Sequence, residues 1–408
     1  MRVLALAGYD SFLNAATLIA PHFQAAGCQL EYALVRSRAG RQLSQEQLES
    51  FRLTGGVRWI SLEDFCKSGE IGEFDIVLSC LEGLSTRRLV HYLRQLGPNR
   101  PLLISVYPGL VLRYALDGYS MRTSSDLVWL NCQADHDDFV RMCTAFGVDS
   151  SGARVFGIAS LLEKIDRNTK ISKSGPVVFF EQAVIPRYHD ERLFLVKQLI
   201  SLVKRYPATE FIIKPRAIGK DATLHRTWHP IDSLIKTAAR EIGGWPDNLR
   251  LSSEKAGALL SRASLCLTVS STVAAEAVNA GVPTVIIGDF GAHDDYGLGY
   301  FLDSGLIQTF SEITLPSTVL PNPNWLARYV ADPEKTIAGL IEEAIRMSKE
   351  PRVPIDERSP RAEMSDTLRN YLIEKRGESS FLGRKYQGWK IKYFPWLNSI
   401  FSILLRKA

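Results

Sequence analysis

No two of the six cysteines in this 408-residue chain lie at close spacing; they stand at positions 28, 66, 80, 132, 143 and 266. That excludes the C-x-x-C pattern of zinc and dithiol sites and reads as buried thiols in a reducing compartment. No apolar run reaches the roughly 18 residues of a membrane-spanning helix. The opening run through Val3, Leu4 and Ala7 is too short for a signal-peptide core and reads as a first buried strand. The glycine-rich dinucleotide fingerprint is missing after it: Gly8-Tyr9-Asp10 stands there, which argues against a dehydrogenase. A G-x-S-x-G elbow is also missing, so serine hydrolysis has no support.

What is present is an ordinary globular composition, 46% hydrophobic and 23% charged. The formal net charge of +5 is unevenly spread. Residues 379–408 carry Arg384, Lys385, Lys390, Lys392, Arg406 and Lys407 and no acid, which leaves the remaining chain at −1. A body without a basic excess does not suit a nucleic-acid partner. In the tail these cations interleave with aromatic and aliphatic residues such as Phe381, Trp389, Phe394, Trp396 and Phe401. That pattern suits the headgroup layer of an anionic membrane. The thirteen uncharged residues between Lys392 and Arg406 would form a helix of about 20 Å, too short to span. The expected location is the cytoplasmic face of a membrane, held peripherally.

Short apolar runs alternate with helical periodicity along the body. Strands are expected at 3–7, 30–35, 57–60, 76–79, 102–106 and 127–131, with helices at 11–26, 85–96 and 135–146 among them. Residues 165–175 are polar and aperiodic and read as a linker. Strands resume at 177–180, 211–213, 249–251, 265–269 and 284–287, with a helix over 189–206. The expected fold class is α/β, two Rossmann-like domains facing a central cleft, with an amphipathic helical tail. The boundaries are 1–165 for an acceptor domain, 176–350 for a nucleotide-sugar donor domain, 351–378 for a closing helix and 379–408 for the tail. In such sheets ligands lie beyond the carboxyl ends of the strands.

The residues expected at those ends form the candidate site. Lys214 and Arg216 leave the strand Phe211-Ile212-Ile213 and would bind an anionic donor. His225 or His229 could serve the leaving phosphate. Ser270, Ser271 and Thr272 end another strand and open a short helix, where hydroxyl and N–H donors suit a phosphate, although simple capping is the bland alternative. Glu276, one turn on, could accept from ribose or sugar hydroxyls. In the first half, Asp10 and Glu82 follow strands and could act as general base, with Asp10 as a helix cap the competing reading. Tyr107, Glu181 and Gln182 are expected to line the cleft. His293-Asp294-Asp295 is not taken as a metal site, because adjacent side chains diverge. Neither metal nor cofactor is expected.

The order strand, Lys214-Pro215-Arg216, His229-Pro230, then Ser270-Ser271-Thr272 with Glu276 resembles bacterial sialyltransferases and polysialyltransferases. It is also similar to the capsule-type Kdo transferases, although Arg216 stands where those enzymes have histidine. Asp289-Phe290-Gly291 and Asp303-Ser304-Gly305-Leu306 look like an uncharacterised family of bacterial glycosyltransferases. The resemblance covers roughly residues 100–310. It implies a GT-B glycosyltransferase whose donor is a nucleotide-activated sugar of the cytidine monophosphate type. Its acceptor would be a cell-surface glycan or a lipid-linked one. It also implies that His229 or His225 and the Ser270–Thr272 run bind the donor. A nucleotide-sugar epimerase and a non-catalytic two-lobed binding protein share the expected architecture and remain as alternatives.

Overall fold

The computed structural model describes residues 1–355 apart from 37–42, 44–47, 50, 52, 54–56, 113–114, 166–174, 217–228, 242 and 292–293. The linker 165–175, all but the first five residues of the closing helix 351–378, and the tail 379–408 therefore lie almost wholly outside the described residues. So do His225 and His293.

Thirteen strands among the described residues form two sheets. The first holds β1 (Arg2–Ala7), β2 (Gln29–Val35), β3 (Arg58–Ile60), β4 (Ile76–Cys80), β5 (Leu102–Val106), β6 (Leu127–Leu130) and β7 (Ala153–Val155). The second holds β8 (Val177–Phe180), β9 (Phe211–Lys214), β10 (Leu249–Leu251), β11 (Leu265–Thr268), β12 (Thr284–Ile287) and β13 (Ile307–Gln308). Every pairing is parallel. The strand orders are β3-β2-β1-β4-β5-β6-β7 and β10-β9-β8-β11-β12-β13. Each sheet thus turns back on itself once, between β1 and β4 and between β8 and β11. Central strands such as β4, β5, β11 and β12 are buried at every position, as expected of parallel strands covered on both faces.

The helices are α1 (Asp10–Ala25), α2 (Leu62–Lys67), α3 (Gly83–Leu93), α4 (Ala115–Ser120) and α5 (Gln133–Phe146) in the first half. They continue with α6 (His189–Arg205), α7 (Ile231–Glu241), α8 (Ala256–Leu260), α9 (Val273–Asn279), α10 (Pro323–Tyr329) and α11 (Ile337–Met347). Apolar residues at helical spacing make one face of each long helix bury against a sheet. On α6, Leu195, Val196, Leu199, Ile200 and Val203 do so.

One boundary is corrected. The expected donor domain runs to residue 350, yet α11 packs on the first half. Its buried stripe Ile337, Leu340, Ile341 and Ala344 joins the core containing Phe12, Ile19, Trp129 and Phe156. Before it, Thr336 Oγ1 donates to the Phe156 carbonyl at 2.6 Å, and within it Glu343 pairs with Arg154 at 2.6 Å.

Candidate functional site

Parallel sheets place their loops so that a ligand meets the strand ends where the order reverses. At the reversal of the first sheet β1 runs into Gly8-Tyr9-Asp10, and beside it β4 runs into Leu81-Glu82. The cap of α1 is Tyr9, in extended conformation, so Asp10 is the first helical residue and its side chain is spared from capping. Glu82 caps α3 by position without a side-chain bond to the helix backbone, and accepts a hydrogen bond from Ser85 Oγ. Its Oε2 lies 3.4 Å from the point where a side chain on Gly8 would begin. Glu82 therefore reaches the turn between β1 and α1 that carries Asp10.

At the reversal of the second sheet β8 runs into Glu181-Gln182 and β11 into Ser270. Gln182 bridges the two: Ser270 N–H donates to Gln182 Oε1 at 2.8 Å, and Gln182 Nε2 donates to Ser270 Oγ at 3.3 Å. Glu181 is buried, and both its carboxylate oxygens are engaged. Arg192 of α6 pairs with its Oε1, and the Arg216 N–H donates to its Oε2 at 3.1 Å. Burial pushes the Glu181 carboxyl above its usual range and the Arg192 guanidinium below its own. Arg192 Nη1 also donates to the carbonyls of Gln182 and Pro186 at 3.2 and 3.3 Å. One ion pair thus fixes the loop after β8 and the start of the loop after β9.

That start aims Arg216 across the cleft. Arg216 Nη2 donates to Asp10 Oδ2 at 2.9 Å, joining the carboxyl end of one sheet to that of the other. The Arg216 side chain keeps 41% of its surface, whereas that of Asp10 keeps 15%, and Asp10 Oδ1 has no partner among the described residues. A second crossing lies beside it. Leu110 N–H, in the loop after β5, donates to Thr272 Oγ1 at 3.2 Å. Gly109 makes this approach possible, since a Cβ there would fall 2.6 Å from Thr272 Oγ1.

Asp10, Glu82, Glu181, Gln182, Arg216, Ser270 and Thr272 are therefore brought to the two facing reversals. The others are placed differently. Ser270 is fully buried and committed to Gln182, Thr272 is committed to Leu110, and half-exposed Ser271 accepts from the Val273 N–H at 3.4 Å at the start of α9. Lys214 is half-buried, with Nζ 3.3 Å from the Pro215 carbonyl. His229 stacks edge-on against His189 at 5.1 Å, where α6 and α7 begin, on the rim of the second half. Tyr107 is not a cleft wall. Its ring is buried between Tyr119 and the Arg122 guanidinium, 4.1 Å away, and burial pushes its hydroxyl up to about 12. Glu276 does not join Asp10 and Arg216. Its carboxyl lies against Ser160 at the crossing between the halves, lining a cavity of about 380 Å³, and burial holds it above its usual range.

Four residues were not singled out in the sequence. Arg192 lies inside a helix that reads as a solvated face at that position. Arg122 holds the Leu81 carbonyl at 2.8 Å, under Glu82. Asp135 and Asp137 have the Asp-x-Asp spacing of a metal pair, which the expectation of no metal passed over. They point apart: Asp135 is buried and accepts from Tyr119 Oη at 3.0 Å, whereas Asp137 is exposed and 3.4 Å from Arg328.

Two parallel α/β layers whose switch points face each other across a charged cleft define the GT-B class of fold. By sequence, the chain belongs to the family described as Putative glycosyltransferase (DUF6716), whose model matches residues 3–344. No curated protein matches it. Among solved structures it is similar to the UDP-GlcNAc 2-epimerase of Methanocaldococcus jannaschii, with a TM-score of 0.57 and 12% identity, over 85% of this chain and 100% of that one. The UDP-N-acetylglucosamine 2-epimerase of Rickettsia bellii gives 0.53 and 14%, over 86% and 96%. The UDP-GlcNAc 2-epimerase of Neisseria meningitidis, bound to UDP-GlcNAc, gives 0.50 and 13%, over 85% and 100%.

Proposed function

We propose that the chain transfers a sugar from a nucleotide-activated donor to an acceptor hydroxyl in the cleft where Arg216 meets Asp10. That contact carries the reading. A carboxylate at one switch point and a guanidinium at the other are the two charges that the reaction needs. Arg216 receives the donor phosphate, a better bidentate partner than a single carboxylate oxygen, and in doing so releases Asp10. Asp10 then takes the acceptor proton while the acceptor oxygen bonds to the anomeric carbon. The bond from that carbon to phosphate breaks, and its electron pair leaves on the phosphate. Glu82, which reaches the turn carrying Asp10, orients the acceptor, and Ser271 and Lys214 supply further donors to the anion.

The Lys214-Pro215-Arg216 and Ser270-Ser271-Thr272 order supports a cytidine monophosphate sugar such as a sialic acid or Kdo. The fold likeness to enzymes of UDP-GlcNAc makes uridine diphosphate sugars the alternative to test. The acceptor is a glycan, free or lipid-linked. The basic, aromatic tail 379–408 supports work at the inner membrane face, where such acceptors are assembled; neither metal nor cofactor enters the scheme. Co-sedimentation with anionic vesicles should be lost in a chain ending at Glu378.

The deciding experiment is thermal shift of the purified protein with a panel of cytidine and uridine nucleotides, followed by turnover. Asp10→Asn should keep or tighten nucleotide binding while turnover falls by about 10²–10⁴-fold. Arg216→Ala should lose nucleotide binding itself. Stabilisation by none of the nucleotides removes the reading, and conversion of the sugar nucleotide without any acceptor makes the protein an epimerase.

A further inference from the structure

The wall of the first half beside Glu82 holds a groove that the reaction above does not use. α3 and its C-cap present Arg87, His91 and Arg94 at i, i+4 and i+7, one exposed line along the helix, while Leu89 and Leu93 bury its other side. Facing them, Ser120, Met121 and Ser124 close a groove of about 520 Å³. Asp117 sits on its rim. A charged helix face is usually just solvated, but two observations set this one apart. It is concave, with hydroxyls on the opposite wall. And its first arginine is uncommitted: Arg87 makes no ion pair among the described residues, whereas Arg88 on the next face lies 3.8 Å from Glu63.

We propose that this groove binds a phosphate or diphosphate group carried by the acceptor. The proposal rests on the reading of the Asp10–Arg216 cleft as the transfer site. From Arg87 to Arg94 the helix rises about 10 Å, a length that suits one diphosphate or two spaced phosphates. Guanidinium groups pair with phosphate oxygens two at a time. The Ser124 hydroxyl donates from the other side, and that of Ser120 does so by turning from the Asp117 carbonyl, to which it donates at 3.1 Å. The same helix is capped by Glu82, so Arg87 begins the groove about one and a half turns from that carboxylate. An acceptor seated by its phosphate along α3 therefore projects its far end toward Glu82 and Asp10.

The test uses inorganic pyrophosphate and isothermal titration on the full chain. Because pyrophosphate would also visit Arg216, the comparison is made in the Arg216→Ala background. That variant should bind pyrophosphate, and adding Arg87→Gln and Arg94→Gln should weaken the binding by about tenfold or more. All three side chains are exposed, so an unchanged melting temperature in the triple variant confirms that the fold is kept. Equal pyrophosphate affinity with and without the two α3 substitutions overturns the proposal, as does an absence of binding in Arg216→Ala. A second arm separates the two readings. Arg87→Gln/Arg94→Gln alone should leave nucleotide affinity as in the unsubstituted chain. If no nucleotide binds the unsubstituted chain while the groove still loses pyrophosphate on substitution, the transfer reading fails and the anion site stands. A matching loss of nucleotide affinity in that double variant would instead make the groove part of the donor site, and would overturn the assignment to the acceptor.

Discussion

Among the described residues, each half of the molecule buries one arginine against one carboxylate, and the two pairs sit at opposite ends of their sheets. Arg100 and Asp126 precede β5 and β6, at the amino ends of the strands; their side chains keep 0% and 3% of their surface and meet at 2.6 and 2.8 Å. The pair also takes in the Leu103 N–H at 2.8 Å and the Val353 carbonyl at 2.9 Å, so it joins separate stretches of backbone on the floor of the sheet. Glu181 follows β8 at the carboxyl end, and its side chain and that of Arg192 keep 4% and 3%. Its second oxygen holds the N–H of Arg216, whose side chain reaches out of the second half altogether. The same chemistry therefore stabilises structure at one end of a parallel sheet and aims a functional group at the other. Position along the strand, not burial or charge, separates the roles.

The strongest way to break this contrast is Asp126→Ala. It leaves Arg100 buried and uncompensated, which should lower stability by about 3–5 kcal/mol in urea unfolding. Nucleotide affinity of the molecules that remain folded should not change. A loss below about 1 kcal/mol would mean that the floor pair is replaceable by water.

Next comes Glu181→Gln, expected to lower stability by about 3 kcal/mol, because glutamine keeps an acceptor for the Arg216 N–H but not the charge that Arg192 requires. The double change Glu181→Met/Arg192→Met should recover much of that stability, since a well-packed apolar pair can replace a buried ion pair. It should not recover nucleotide binding, because Arg216 has lost its anchor. Recovery of both would reduce the pair to a structural one, like that on the floor.

The sequence makes most of this frame legible and little of its wiring. Eleven of the thirteen strands announce themselves as apolar runs bounded by turns. Two of the four edge strands do not: Ala153–Val155, interrupted by Arg154, and Ile307–Gln308, of only two residues. Asp10, Glu82, Glu181 and Arg216 are readable because each follows a strand, and strand ends are where the fold collects chemistry. Partners that arrive from helices are not readable. Arg192 is one charged residue among several on α6, and only folding shows that it turns inward. The Ser270–Thr272 run misleads for the same reason: its residue types suit a phosphate, while two of its hydroxyls are taken by Gln182 and by a loop of the other half, contacts that no local pattern encodes. Likewise the periodicity of α11 is plain, but not which sheet it covers.

A third buried acid sharpens the comparison, since Asp135 has no arginine. Burial raises its carboxyl to about 6, against which the Tyr119 hydroxyl bond is the chief compensation. The folded-state value lies above the unfolded one, so between about pH 4 and pH 6 the folded chain holds a proton that the unfolded chain has lost. Its contribution is therefore fully present below about pH 4 and disappears as pH rises through 6. The difference in unfolding free energy between the unsubstituted chain and Asp135→Asn should shift with pH across that window by on the order of 2 kcal/mol, in favour of the asparagine form at neutral pH. A difference that stays flat from pH 4 to pH 7 would show the carboxyl to be solvated like that of Asp137.

The smallest expected effect tests the uncharged crossing against the charged one. Thr272 meets the other half through a single neutral bond, from Leu110 N–H at 3.2 Å, with Gly109 packed against its hydroxyl. Thr272→Ala leaves that N–H without its acceptor at a partly buried place, and should lower stability by about 1 kcal/mol. Thr272→Ser keeps the oxygen and should lower it less. Because the hydroxyl is engaged between the halves, nucleotide affinity should change less than about threefold in either variant, a difference of about 0.7 kcal/mol. Arg216→Ala should abolish nucleotide binding in the same assay, although it too breaks one contact between the halves. Should Thr272→Ala weaken nucleotide binding by tenfold or more while Thr272→Ser restores it, the hydroxyl turns from Leu110 to the donor phosphate on binding. The role expected from the Ser270-Ser271-Thr272 motif would then hold in the liganded state.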